Sequence, residues 1–287
     1  MRWQGGRRSD NVEDYRGRGG PGGPGLKLGI GGILAVAAAW YFGIDPRVVL
    51  GLMDAAQQST PAAVEQPQTS APQDEIGDFV SVVLADTEDT WTQLLAAQGV
   101  QYITPRLRLF TGSTQSGCGA AGAEVGPFYC PNDQKLYIDL AFYNDLRTRF
   151  HAPGDFAQAY VIAHEVGHHV QNLLGISDKV RNAQRAGSGE RQANQLSVRL
   201  ELQADCYAGI WAHHAQRSRQ ILEDGDLEEA LGAAAAVGDD RIQKRARGTV
   251  VPDSFTHGSA AQRQHWFEQG FQSGTLAACD TFAARKP

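Results

Sequence analysis

The sequence of 287 residues lacks three features that would point to common kinds of function. It has no cluster of basic residues, and its formal net charge is −6, which argues against binding to nucleic acid. Its four cysteines form no C-x-x-C pair, so their spacing does not support a structural zinc site built from thiolates. No internal repeat is visible, which argues against a solenoid or another repeat fold.

The longest apolar run without a charge extends only from Leu28 to Ile44. As a helix it covers about 26 Å, slightly less than the hydrocarbon core of a bilayer at about 30 Å. Residues 1–27 before it are rich in glycine and arginine, and they predict a disordered tail. Positive charge ahead of the run predicts a cytoplasmic N-terminus and a single-pass signal anchor at residues 28–44 that contacts the lipid bilayer. A cleaved signal peptide and a buried soluble helix are the alternatives.

A folded domain outside the cytoplasm is expected to follow the apolar run. Residues 45–74 form a juxtamembrane segment and a linker rich in Pro, Gln, Ser and Thr, so the domain is expected at residues 75–287. Four cysteines in an oxidising compartment predict two disulfides, for which three pairings exist. We favour Cys118–Cys130, which would close a glycine-rich loop, and Cys206–Cys279, which would tie the C-terminal tail to a helix.

The pattern H-E-x-x-H occurs at His164, Glu165 and His168. A helix is predicted from Phe156 to Leu174, with Asp155 as its N-terminal cap. Two histidines four residues apart lie on one face of a helix, where both imidazoles can bind one zinc ion. Glu165 lies one step around the helix, where it can reach a water on the zinc and act as general base. Two ordinary histidines on a partly buried helix are the alternative.

A catalytic zinc site needs a third protein ligand and one position open to water. A longer pattern, with glycine at position 171 and a third histidine ligand at position 174, would be a known solution, but glutamine and leucine stand there. Glu201, on a second predicted helix, is therefore the candidate ligand, and Asp205 on the same face is expected to accept a hydrogen bond from a zinc histidine. A salt bridge of these two acids with Arg199 or another basic residue is the alternative. Glu190 competes as the third ligand but is better explained as an acid in the first turn of that helix.

The remaining pattern predicts an α+β fold, a mostly helical zincin-like domain with a small β-sheet. His169 points about 100° away from His168 and is interpreted as structural, as are His213 and His214. Strands are predicted at 106–110, 128–130 and 136–140, the last two as a hairpin, and further helices at 76–97, 142–150, 227–237 and 259–272.

Several long segments resemble one known family, the bacterial putative neutral zinc metallopeptidases. The similarity covers nearly the whole chain. It includes the apolar segment and the stretches MRWQGGRRSDNVEDYRG, GPFYCP, AYVIAHEVGHHVQ, RLELQADCYAG, GDDRIQ and VPDSFTHGSAAQRQHWF. The resemblance implies a membrane-tethered zincin with a glutamate as third ligand. It implies no particular substrate.

The zinc site predicts a mechanism of peptide hydrolysis. One Zn²⁺ on His164, His168 and Glu201 would activate a water, with Glu165 as general base. His257 is the candidate donor to the oxyanion, and a histidine that caps a helix through its loop is the alternative. By analogy with other folds, residues 136–139 are expected to be the edge strand on which a peptide substrate lies.

Three classes of function are open at this point. The first is an active zinc endopeptidase with peptide or protein substrates. The second is an inactive or latent zinc-binding protein of the cell envelope that acts by interaction, and the third is a zinc hydrolase of non-peptide amides. The sequence does not indicate an oligomeric state.

Overall fold

The computed structural model describes residues 1–16, 74–122, 125–187 and 189–284. In these ranges the strands are β1 (Val12–Asp14), β2 (Arg106–Phe110), β3 (Ser113–Ser116), β4 (Gly119–Gly122), β5 (Phe128–Cys130) and β6 (Lys135–Asp139). The helices are α1 (Glu75–Ala96), α2 (Ala141–Thr148), α3 (Asp155–Leu173), α4 (Ile176–Ala186), α5 (Glu190–Arg219), α6 (Asp226–Ala236), α7 (Asp239–Arg247) and α8 (Ala260–Ser273). This is the mostly helical α+β arrangement that the sequence predicts.

The larger sheet has the strand order β1-β2-β6-β5. β1, β2 and β6 run parallel, and β5 pairs antiparallel with β6 as the predicted hairpin. β3 and β4 form a separate antiparallel pair. Helices α3 and α5 cross at the centre of the domain, with α1, α6 and α8 packed around them. The buried faces of these helices and of the sheet form one hydrophobic core.

Residues 1–16 are folded into this core, so the prediction of a disordered tail over residues 1–27 is wrong for its first sixteen residues. Met1, Trp3 and Val12 are less than 10% exposed, and Trp3 packs edge-on against Phe79. The glycine-rich, charged composition suggested disorder because the partners of these few apolar side chains lie far along the chain. Residues 17–27 lie outside the described residues.

Two of the arginines in this N-terminal segment are bound by acids of α1. Arg8 pairs with Asp78, and Arg7 lies within 3.0 Å of Glu88 and 2.7 Å of Asp89. These charges therefore stabilise the fold of the domain rather than forming a free positive flank.

The two ends of the undescribed segment 17–73 are close together. Arg16 Nη1 lies 2.7 Å from Asp74 Oδ2, immediately before α1. The predicted topology, with a cytoplasmic N-terminus and an external domain, would place residues 1–16 and 74–284 on opposite sides of a membrane. They share one core, so that topology is inconsistent with the fold.

The predicted anchor at residues 28–44 lies outside the described residues, as does most of the predicted linker. Among the helices of the described ranges, none is both long enough and apolar enough to cross a bilayer.

Removal of residues 1–16 is expected to destabilise the domain severely. Burial of Met1, Trp3 and Val12 contributes about 5–9 kcal/mol at about 1.5–3 kcal/mol per side chain, against a typical total stability of about 5–15 kcal/mol. Thermal unfolding followed by circular dichroism measures the effect. The matched control keeps residues 1–16 and replaces residues 17–73 by about ten Gly and Ser residues, and it should unfold close to the parent temperature. Equal unfolding temperatures for the two deletions would contradict the assignment.

Both favoured disulfides are present. Cys118 is bonded to Cys130, and Cys206 on α5 is bonded to Cys279, with Cα–Cα distances of 5.8 and 5.7 Å. The first fastens the β3–β4 hairpin to β5. The second fastens the C-terminal segment to α5 five residues after Glu201.

Candidate metal centre

Helices α3 and α5 approach each other closely at Gly167, the residue before His168. A Cβ atom at this position would lie 2.9 Å from the carbonyl oxygen of Ala204 and 3.1 Å from its Cα. Any larger residue would therefore force the two helices apart. The glycine inside the H-E-x-x-H pattern thus brings the face of α3 that carries the histidines against the face of α5 that carries Glu201.

His164, His168 and Glu201 come together at this crossing as a group able to hold a metal ion. The Nε2 atom of His164 lies 3.2 Å from Glu201 Oε2, and Nε2 of His168 lies 3.4 Å from Oε1. Two ligand atoms held about 2.0–2.2 Å from one tetrahedral ion are about 3.3–3.6 Å apart. The spacing of these side chains therefore fits a single tetrahedral zinc ion.

Asp205 lies one turn after Glu201 and accepts from the other ring nitrogen of His164, with 2.9 Å between Nδ1 and Oδ1. Asp205 is fully buried. Burial opposes its ionisation, but Arg263 and His164 outweigh this and lower its pKa. An ionised Asp205 holds the Nδ1–H tautomer of His164, which leaves Nε2 free to bind metal.

Arg263 of α8 belongs to the site, although the sequence did not predict it. Its guanidinium donates from Nε to Asp205 Oδ2 at 2.8 Å and from Nη2 to Asp205 Oδ1 at 2.9 Å. Nη2 also donates to the hydroxyl of Tyr160 at 3.2 Å, and Tyr160 in turn donates to Asp205. The sequence signal was weak: a lone arginine in a predicted helix, 58 residues from its acid partner.

The charges of the buried groups also suit a divalent cation. When ionised, Glu165, Glu201 and Asp205 carry three negative charges, and Arg263 offsets one of them. Burial disfavours ionisation of Glu201, but His168 and His164 outweigh it and hold its pKa well below the usual range. Burial likewise opposes charge on His164, yet Asp205 raises its pKa to about 10. Metal binding would therefore displace protons from the imidazoles.

Glu165 lies beside the ligand group and is only 7% exposed. Burial raises the pKa of its carboxyl group, against the lowering effect of His164 and His168. A carboxylate with a raised pKa accepts a proton more readily near neutral pH, which suits a general base.

His257 stands on the loop between α7 and α8, and its side chain is half exposed. Asp239 fixes this loop by accepting backbone N–H bonds from residues 256, 257 and 258 at 2.7, 2.6 and 3.1 Å. A hydrogen bond with Asp239 raises the pKa of His257, as does the nearby charge of Glu201. The structure thus places the imidazole of His257 within electrostatic range of Glu201, on a loop that Asp239 holds.

Two other candidates from the sequence, Glu190 and His169, lie away from the ligand group or are held by other contacts. Glu190 is in the first turn of α5, eleven residues before Glu201, so about 16 Å of helix separates them. His169 is buried and binds the Tyr129 hydroxyl and the carbonyl of Ile103. Burial lowers its pKa to about 4, so it is neutral at pH 7.

The prediction that residues 136–139 form an edge strand is wrong. They belong to β6, which pairs with β2 along one side and, through residues 135–137, with β5 on the other. The hairpin was visible in the sequence, but the parallel pairing with β2 was not. Asp155 is also not a cap: it is the first residue of α3, after Gly154.

Comparison with known proteins points in the same direction as the site. A family model described as "Putative neutral zinc metallopeptidase" matches residues 1–282. The uncharacterized protein YpfJ of Escherichia coli is 52% identical over 290 residues, covering 98% of this chain and 99% of its own. The uncharacterized proteins Rv2575 of Mycobacterium tuberculosis and Mb2605 of Mycobacterium bovis are each 44% identical over 260 residues, covering 86% of this chain and 85% of their own. No solved structure matches.

Proposed function

The chain belongs to the family of putative neutral zinc metallopeptidases, and on this premise we propose that it is a zinc-dependent endopeptidase. One observation carries the proposal: His164, His168 and Glu201 meet at the spacing of zinc ligands, with the buried carboxylate of Glu165 beside them. A site that only stabilised the fold would have no use for a base in that position.

The proposed mechanism assigns a role to each side chain. His164, His168 and Glu201 would hold one zinc ion, which when bound lowers the pKa of a water to about 7 and polarises the scissile carbonyl. Glu165 takes a proton from the attacking water onto its carboxylate and passes it to the leaving amine. His257, with its pKa raised by Asp239, donates to the carbonyl oxygen as negative charge develops there.

The test is hydrolysis by the purified full chain, with zinc content measured on the same sample. A peptide library and a set of amides from the cell envelope are offered side by side. Cleavage of peptides that stops on chelation and returns with zinc supports the proposal. Cleavage of the envelope amides alone would favour a non-peptide hydrolase, and one bound zinc with no cleavage of either set would favour an interaction protein.

We also propose that the domain lies outside the cytoplasm, attached to the bilayer through residues 28–44. The two disulfides support an oxidising compartment. The common core of residues 1–16 and 74–284 supports one further condition, that both ends of segment 17–73 lie on the same side of the membrane.

Labelling from one side of the membrane tests this topology. The exposed residues Gln4 and Lys244 are each replaced by cysteine in separate variants, and all native cysteines are in disulfides. A membrane-impermeant maleimide applied to spheroplasts is expected to label both variants equally. Labelling of only one variant would restore the single crossing, and protection of both would place the whole domain in the cytoplasm.

A further inference from the structure

His168, the second histidine of the pattern, has a ring partner quite different from that of His164. Its Nδ1 lies 2.9 Å from Oε1 of Gln171, one turn further along α3 and fully buried. The amide nitrogen of Gln171 donates to the carbonyl of Leu200 at 2.7 Å and to Oε1 of Gln203 at 3.2 Å. The amide nitrogen of Gln203 donates in turn to the carbonyl of Cys279 at 3.0 Å.

The directions of these hydrogen bonds are fixed by their end points. Leu200 and Cys279 contribute backbone carbonyls, which only accept, so both glutamines must present their nitrogens to them. The oxygen of Gln171 is then left to face the imidazole, and it accepts the Nδ1–H of His168. In the neutral ring the unprotonated nitrogen is then Nε2, which faces Glu201 at 3.4 Å, as metal binding requires.

The neutral amide of Gln171 suits the charge of the site. A carboxylate in place of Gln171 would add a further negative charge beside His168. Among the described residues, no second arginine contacts the site to offset that charge. Asp205 has Arg263 as its cation, whereas Gln171 needs none because it is neutral. The amide orients the ring while leaving the balance between the acids and a divalent ion unchanged.

The chain of amides ends on a segment that is itself firmly held. Cys279 is bonded to Cys206 of α5, and Arg199 donates to the carbonyl of Ala284 at 2.9 Å. The hydroxyl of Thr281 donates back to the carbonyl of Arg199. The residues around Glu201 are thus fastened to the C-terminal segment on both sides, and Gln203 connects that segment to α3.

We propose that Gln171 and Gln203 are positioning residues, a chain of two amides that orients His168 for the metal and couples this orientation to the C-terminal segment 276–284. The inference rests on the proposed function in one respect, that His168 binds zinc. It assigns the C-terminal segment a part in metal affinity, although none of its residues is a ligand.

The test compares Gln171→Leu, Gln203→Leu and the double variant in the full chain. Zinc dissociation constants are measured by competition with a chromophoric chelator, and the visible spectrum of the cobalt-substituted protein reports ligand geometry. Loss of a partner of a metal-bound histidine typically weakens affinity about 10–100-fold, which is the expectation for Gln171→Leu. Gln203→Leu should have a smaller effect, and little further loss should occur in the double variant because both changes break one chain.

Two further variants separate positioning from general stability. Gln171→Glu keeps an oxygen acceptor for His168 and should restore part of the affinity and the parent cobalt spectrum. Gln184→Leu removes a half-buried glutamine of α4 that also makes two hydrogen bonds, to Ala193 and Ser197, and should leave zinc affinity unchanged.

The outcomes distinguish this inference from the peptidase proposal. If Gln171→Leu has the same zinc affinity and cobalt spectrum as Gln184→Leu, Gln171 has no positioning role. This conclusion holds even if the protein is an active peptidase. A parent that binds zinc but cleaves nothing would overturn the peptidase proposal, while the ranking of affinities would still support the chain of amides.

Discussion

Replacement of Glu165 by glutamine is expected to lower kcat/KM for peptide hydrolysis by about 10²–10⁴-fold without loss of zinc. The two side chains have nearly the same shape, so the buried position beside His164 and His168 remains filled. A glutamine amide, however, cannot take a proton from water or return it to the leaving amine. Steady-state rates and zinc content, measured on the same samples, check both parts of the expectation.

Glu190→Gln is the matched control for Glu165→Gln. It makes the same chemical change at an exposed acid in the first turn of α5 and should alter neither rate nor zinc content. Full activity in Glu165→Gln would remove this residue from the mechanism. Loss of zinc together with activity would instead make Glu165 a part of the metal site.

Replacement of Arg263 by leucine is expected to lower the free energy of unfolding by about 3–5 kcal/mol. Asp205 is 0% exposed and Arg263 only 4%, so the change leaves a buried carboxylate without its cation. Zinc affinity should fall as well, because Asp205 then no longer holds the tautomer of His164 firmly. Urea unfolding with and without zinc measures both effects.

Three comparisons make the Arg263 result specific. Arg263→Lys keeps the charge but not the two-pronged contact with Asp205, and it should lie between parent and leucine variant. Adding Asp205→Asn to Arg263→Leu should recover part of the stability, since no unpaired charge remains. Arg191→Leu breaks an exposed pair with Asp253 and should cost less than about 1 kcal/mol. Equal losses for Arg191→Leu and Arg263→Leu would contradict the role of the buried pair.

The sequence predicted what depends on neighbours along the chain. His164, Glu165 and His168 share one helix, and Glu201 and Asp205 share another, so the spacing within each helix determines which side chains lie on one face. The hairpin of β5 and β6 was predicted for the same reason, because its strands are separated by one short turn.

What the sequence did not predict depends on contacts between distant residues. Arg263 meets Asp205 because α8 lies against α5, where a Cβ on Gly270 would lie 1.9 Å from the carbonyl of Cys206. In the sequence, Gln171 shows only that the glycine of a longer zinc pattern is absent. Its role depends on a hydrogen bond with Gln203, which lies on another helix. The first sixteen residues looked disordered because their partners lie far along the chain, 76 residues later for Trp3 with Phe79 and 225 residues later for the α-amino group of Met1 with Asp226.

The position of the first residues also determines when the domain can be completed during synthesis. Arg2 N–H donates to the carbonyl of Ile221, and the α-amino group of Met1 lies 3.3 Å from Asp226. At about 5–20 residues per second, a ribosome reaches these partners about 10–45 s after it has made Met1. Throughout that interval the start of the N-terminal segment lacks its contacts with residues 221 and 226. Met1 and Arg2 therefore reach their final places only after most of the domain has been made.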